Sequence, residues 1–147
     1  MFQRIMLAWD GSAAALAAFD IAIDLTRRYE GELVAVSVAY SPSHAETHAD
    51  RIESSAAAHR YFVQTFGEVV DRAQRAGVNA EHIIVEGDSP AQVLLDHAHE
   101  HGFDLIVCGH HRSQLTGRLL LRDIAEELYR GARVPVLVVA EDGYVTA

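Results

Sequence analysis

A single α/β domain, a doubly wound five-stranded parallel sheet with helices on both faces, is predicted by three observations. Short apolar runs alternate with helical spacings along the chain in the order β-α-β-α-β-α-β-α-β. The runs are compact, as strands buried on both faces are. The length of 147 residues is that of one domain, enough to bury about two-thirds of the surface the unfolded chain would expose.

Ile5 to Trp9 follow the lead Phe2-Gln3-Arg4 and close in Asp10-Gly11-Ser12, which reads as a buried strand ending in a turn. Ser12 then caps a helix in which Leu16, Phe19 and Ile23 recur at helical spacing, and Gly31 is expected to stop it. Leu33 to Tyr40 is β-rich and gives the second strand, hence a βαβ unit with a right-handed crossover. Ser41 to Ser55 is polar and contains Pro42, His44 and His48, so 41–55 is expected as a flexible surface loop. One long helix should follow, with Phe62, Phe66, Val69 and Ala73 on a stripe and Arg72, Arg75 and Gly77 near its end. Ala80 to Glu86 supplies the third strand. After it, Gly87-Asp88-Ser89-Pro90 is a helix start with Ser89 as cap and Pro90 first in the helix. The helix from Pro90 to His101 buries Ala91, Leu94 and Ala98 and stops at Gly102. Leu105 to Cys108 is strand four, Leu120 to Arg130 a helix, Val134 to Ala140 strand five, and 141–147 a tail.

In folds of this class a ligand sits beyond the carboxyl ends of the strands, where the strand order reverses. With strand one central, two and three on one side and four and five on the other, Asp10-Gly11-Ser12 and Gly109-His110-His111 face one crevice. The stretch from Asp104 to Asp123 is then a strand, a polar loop and a helix start, the unit that holds phosphate at a helix N-terminus.

Charge narrows the partners. The formal charge of -9 disfavours nucleic acid and anionic membranes. All twelve basic residues are Arg, and five of them, Arg112, Arg118, Arg122, Arg130 and Arg133, fall in the twenty-two residues after His111, a local basic patch compatible with an anionic ligand. The lone Cys108 has no internal disulfide partner and reads as a small core residue. The apolar run at the N-terminus is too short for a signal peptide, so the cytoplasm is expected. No apolar run approaches the roughly 20 residues of a membrane span, so no direct membrane insertion is expected either.

Several segments in order carry a resemblance: "RIMLAWDGS" at the first strand, "GELVAVSV" at the second, "VEGDSPAQVLLDHAHEHGFDLIVCG" through the third and fourth, and "LLLRDIAEELYRGARVPVLVV" at the end. With these the chain resembles the universal stress protein family, within the wider class of adenine-nucleotide-binding HUP domains, over nearly its whole length. The resemblance implies strand order 3-2-1-4-5 and a homodimer formed through the last strand, with an unidentified protein partner left open. It implies that Asp10 lies in the nucleotide pocket and that the backbone at Val38 meets the base. One branch of the family binds ATP through Gly, two residues, Gly, nine residues, Gly, then Ser or Thr. Counted from Gly109, those positions hold Gly109, Arg112, Arg122 and Asp123. Arginines add bulk where glycine would let the backbone approach phosphate, and Asp123 adds negative charge beside a triphosphate.

Two readings of the arginines follow. Guanidinium groups bind phosphate well, so Arg112, Arg118 and Arg122 can replace the lost backbone cradle for ATP or another anionic nucleotide. Alternatively they are solvated, or pair with Asp123, Glu126 and Glu127, and this is the preferred reading.

His97 and His101, four apart on one helix, and His44 and His48 have chelate spacing, but neither pair has an evident third ligand, so no metal is expected. No G-x-S-x-G elbow, no P-loop ending in Gly-Lys-Ser and no carboxylate pair fixed by spacing is present. The expectation is a non-catalytic stress-response or regulatory module, with ATP binding weak or absent.

Overall fold

Five apolar runs become five strands: β1 (Arg4–Ala8), β2 (Glu32–Tyr40), β3 (Ala80–Gly87), β4 (Leu105–His110) and β5 (Val136–Ala140). The computed structural model describes residues 1–40, 48–110 and 124–141, and the side chains of all of these except 40 and 48–54. The strands form one all-parallel sheet in the order β3-β2-β1-β4-β5, as expected, with Leu7 opposite Ala35 on one side and Val107 on the other.

Alternation along the strands divides the core in two. On one face Ile5, Leu7, Leu33, Ala35 and Val107 pack with helix α1 (Ala13–Tyr29), helix α2 (His48–Gly67) and helix α3 (Asp71–Arg75). On the other, Met6, Val34, Val36, Ile106 and Cys108 meet helix α4 (Pro90–Glu100) and helix α5 (Ile124–Gly131). Right-handed crossovers place the helices this way, because β1 to β3 step in one direction from the centre and β4 to β5 in the other.

Some boundaries differ from the expectation. Helix α2 reaches back to His48, into the segment expected as loop. Its polarity was misleading: Ala49, Arg51 and Glu53 are sound helix formers whatever they face. The single long helix divides at Gly67, with tight turns in which Val69 and Val70 N–H bond to Phe66 O. Glycine followed shortly by two β-branched residues is poor helix sequence. Phe66 and Ala73 are nevertheless buried in one cluster with Val69 and Val70 against it, so the stripe survives the break. Helix α1 is reversed by Glu30, in the left-handed region at φ 53°, rather than by Gly31; the N–H groups of the two bond to Arg27 O and Thr26 O. Ser89 occupies the cap position before Pro90 but makes no side-chain cap bond. Strand β5 begins at Val136 rather than Val134, and residues 120–123 of the expected last helix lie outside the described residues.

One polar node crosses the first core. Ser37, buried, donates to Trp9 O at 2.8 Å, and its Oγ lies 2.9 Å from His82 Nε2. A hydroxyl has one hydrogen, so His82 donates through Nε2. The imidazole also packs 4.6 Å from the Phe66 ring, and desolvation pushes its pKa from 6.5 down to about 4.

Because the folded pKa is depressed, the unfolded chain binds the proton first, and stability falls as pH drops from 6.5 toward about 4. Urea unfolding across that window should show the loss in the wild type and a shallower loss in His82→Gln, whose amide still donates to Ser37. Equal slopes in the two proteins would contradict the assignment.

Candidate functional site

The carboxyl ends of β1 and β4 are adjacent at the reversal of strand order, the place where folds of this class put a ligand crevice. On the β1 side, Asp10 Oδ1 accepts from Ser12 N at 2.9 Å and from Ser12 Oγ at 2.5 Å. Ser12 Oγ in turn accepts from Ala15 N at 3.1 Å, with Ser12 in extended conformation at the start of α1. This is the expected cap, and it answers one orphan N–H of the helix. It also sets the Asp10 carboxylate against the positive end of α1, where negative charge is favoured. Gly11 between them has φ 81°, a conformation side chains disfavour.

On the β4 side the structure corrects the expected break. Strand β4 runs on through Gly109 and His110, pairing Gly109 with Val139 and His110 with Ala140. Gly109 therefore does not open a turn. A Cβ there would lie 2.5 Å from the C and O atoms of Ala14 and 2.8 Å from its Cβ, so the glycine lets the first turn of α1 rest on the strand. Packing alone accounts for this residue. His110 is exposed at the strand end.

Val38, on β2, pairs with Val85 and packs on the α4 side. Asp10, Val38 and Gly109 thus sit on the three central strands or at their ends. Arg112, Arg122 and Asp123, together with His111 and Arg118, lie outside the described residues.

Among the described residues, neither Cys108 nor Ser12 is an activated nucleophile. Burial pushes the Cys108 thiol up to about 12, so it is protonated at neutral pH and behaves as a core residue. Ser12 gives its hydrogen to Asp10 in a capping geometry. Among the described residues no three His, Cys, Asp or Glu side chains gather as for a metal. His97 and His101 stack ring on ring at 4.1 Å, far from this crevice at the other end of α4. No helix is long and apolar enough to cross a membrane among the described residues.

Two residues escaped the sequence reading. Tyr61 Oη donates to Asp10 O at 3.1 Å, and Thr65 Oγ1 accepts from Trp9 Nε1 at 3.1 Å. Trp9 itself is 4% exposed and packs on Phe19 and Phe66, at the end of the run read as a buried strand. A signal was present: a buried indole N–H requires an acceptor, and Thr65 stands beside Phe66 on the facing helix.

Comparison with known proteins agrees with this architecture. The model of the universal stress protein family matches residues 1–140. A universal stress protein of Staphylococcus haemolyticus is 30% identical over 142 residues, covering 94% of this chain and 84% of that protein. A solved universal stress protein in complex with cAMP is 27% identical with a TM-score of 0.71, covering 94% of this chain and 97% of that one. UspA from Lactobacillus plantarum superposes with a TM-score of 0.80 at 24% identity, covering 93% and 97%, a likeness of fold.

Gly109→Ala tests the packing role directly. The added methyl should overpack α1 against β4 and lower stability by about 1–3 kcal/mol with no ligand present. Chemical denaturation of the two proteins measures it, and an unchanged midpoint would return Gly109 to a purely ligand-related role.

Proposed function

We propose a function for this chain from one premise: it belongs to the universal stress protein family. The protein is a cytoplasmic, non-catalytic stress-response or regulatory module in which ATP binding is weak or absent. One observation carries the reading. The crevice framework is intact, with Asp10 at the end of β1 and Gly109 seated on α1, whereas signature positions 112, 122 and 123 hold Arg, Arg and Asp. The triphosphate end has therefore changed while the scaffold has not. Asp10, Val38 and Gly109, with Arg112, Arg122 and Asp123, remain the candidate ligand residues.

A second reading is favoured by the solved relative in complex with cAMP. A single phosphate needs less of a cradle than three, so a smaller adenine nucleotide, with an arginine as its counter-charge, suits this crevice better than ATP. Catalysis is not part of either reading, since Cys108 is protonated and Ser12 acts as a cap; slow ATP hydrolysis stands as the third alternative.

The protein forms a homodimer through β5. Among the described residues this strand is at one edge of the sheet, and Val138 on it is 39% exposed. An unpaired apolar edge is a ready template for a second chain.

Calorimetric titration with Mg-ATP, AMP and cAMP, beside the nucleotide content of the purified protein, separates the two readings. The first expects no ATP affinity tighter than about 0.1 mM and no co-purified ATP. Micromolar ATP binding would overturn it. If AMP or cAMP binds, Arg122→Ala should weaken it about tenfold, and unchanged affinity would remove that arginine from the site. For the dimer, Val138→Lys should shift the sedimentation of the protein to that of a monomer; a wild type that already sediments as a monomer would refute it.

A further inference from the structure

Helix α2 grips the turn that ends β1 through one face. Tyr61 Oη donates to the Asp10 carbonyl at 3.1 Å, and four residues on, Thr65 Oγ1 accepts from Trp9 Nε1 at 3.1 Å. Residues spaced by four lie one above the other on a helix, so both contacts come from a single stripe. Between them sits Gly11, where a Cβ would lie 2.6 Å from Tyr61 Oη and 3.2 Å from Thr65 Cγ2. The turn and the stripe therefore interlock, and the glycine at φ 81° is required by both its backbone and its neighbour.

Tyr61 is 49% exposed, so burial alone does not account for its place. Its ring leans on Phe62 at 5.4 Å and its hydroxyl is committed to the carbonyl of the crevice aspartate. Thr65 gives its own hydrogen to Phe62 O, which leaves its oxygen to accept from Trp9.

We propose that Tyr61 is a positioning residue of the crevice: with Thr65 it latches α2 onto the Trp9–Asp10–Gly11 backbone, so that the shape of the Asp10 turn and the docking of α2 form one equilibrium. Its consequence for affinity rests on the nucleotide reading above, whereas the latch itself does not. A ligand that contacts Asp10 binds a turn already held in shape, and loosening the latch raises the cost of ordering it. The same coupling runs outward. Trp9 is the only tryptophan in the chain, so its emission reports the state of the Thr65 contact.

Tyr61→Phe in the full chain removes only the hydroxyl and keeps the ring. Amide exchange is read at Ser12, bonded to Asp10 Oδ1, and at Ala15, bonded to Ser12 Oγ, with Leu7 and Val107 as controls in the central strands. Without ligand, the two turn amides should exchange about three- to tenfold faster in the variant while the controls keep their rates. Whichever of AMP, cAMP or ATP the wild type binds should bind more weakly by a similar factor. Unchanged exchange at Ser12 and Ala15 would overturn the latch, and faster exchange with full retention of nucleotide affinity would overturn the positioning role. If the wild type binds none of the three, the nucleotide reading fails and the exchange rates alone decide the latch. Thr65→Val is the second arm, expected to shift Trp9 emission and to speed the same two amides; emission and exchange identical to wild type would count against the shared stripe.

Discussion

No side chain fits between Gly109 and the backbone of Ala14, and this contact fixes where helix α1 begins. Much of the crevice depends on it. With the first turn of α1 seated on β4, Ser12 falls at the cap position, and its hydroxyl is aligned to answer Ala15 N–H while its own hydrogen reaches Asp10. The aspartate is thereby held at the positive end of the helix. A shift of α1 by the width of a methyl group would displace the cap, the carboxylate and the turn together, because the interior around them is close-packed.

The other side of the same turn is held by different chemistry. Trp9 is buried, so its indole N–H and its carbonyl each require a partner, and they find them on separate elements: Thr65 on α2 and Ser37 on β2. Ser37 passes the network to His82, which stays neutral because burial disfavours its charged form. The end of β1 is thus tied to α1, α2, β2 and β3 through polar groups rather than by apolar packing alone. Such a network specifies one arrangement of the strand end, since each partner left unpaired in the core would cost about 1–3 kcal/mol.

What was legible in the sequence follows the range of the interactions involved. Strand and helix identity depends on local periodicity, and the runs read from Ile5, Leu33, Ala80, Leu105 and Val134 each contain a strand of one parallel sheet in the implied order. The cap at Ser12 is local too, and it stands as read. Errors arose where a distant contact decides. Gly109 looked like a strand end because glycine breaks apolar runs; its reason lies ninety-five residues earlier, in Ala14. Tyr61 drew no notice because its partner, Asp10, is fifty-one residues away. The division of the long helix at Gly67 hid behind a stripe that stayed apolar across the break.

The role of Gly109 also changes what its presence says about ligands. When one glycine of a phosphate signature is needed by the scaffold, its retention carries no information about phosphate, and the decision moves to positions 112, 122 and 123. On the proposed nucleotide reading, arginine in place of glycine there trades a backbone cradle for long side chains that would lose rotamer freedom on meeting a phosphate. Each such side chain costs on the order of 0.5–1.5 kcal/mol to immobilise. A guanidinium would, on that reading, return a charge-assisted contact to one phosphate, and an aspartate at 123 would oppose additional negative charge. On the proposed nucleotide reading the balance worsens with every phosphate added, so a smaller anion is the better match.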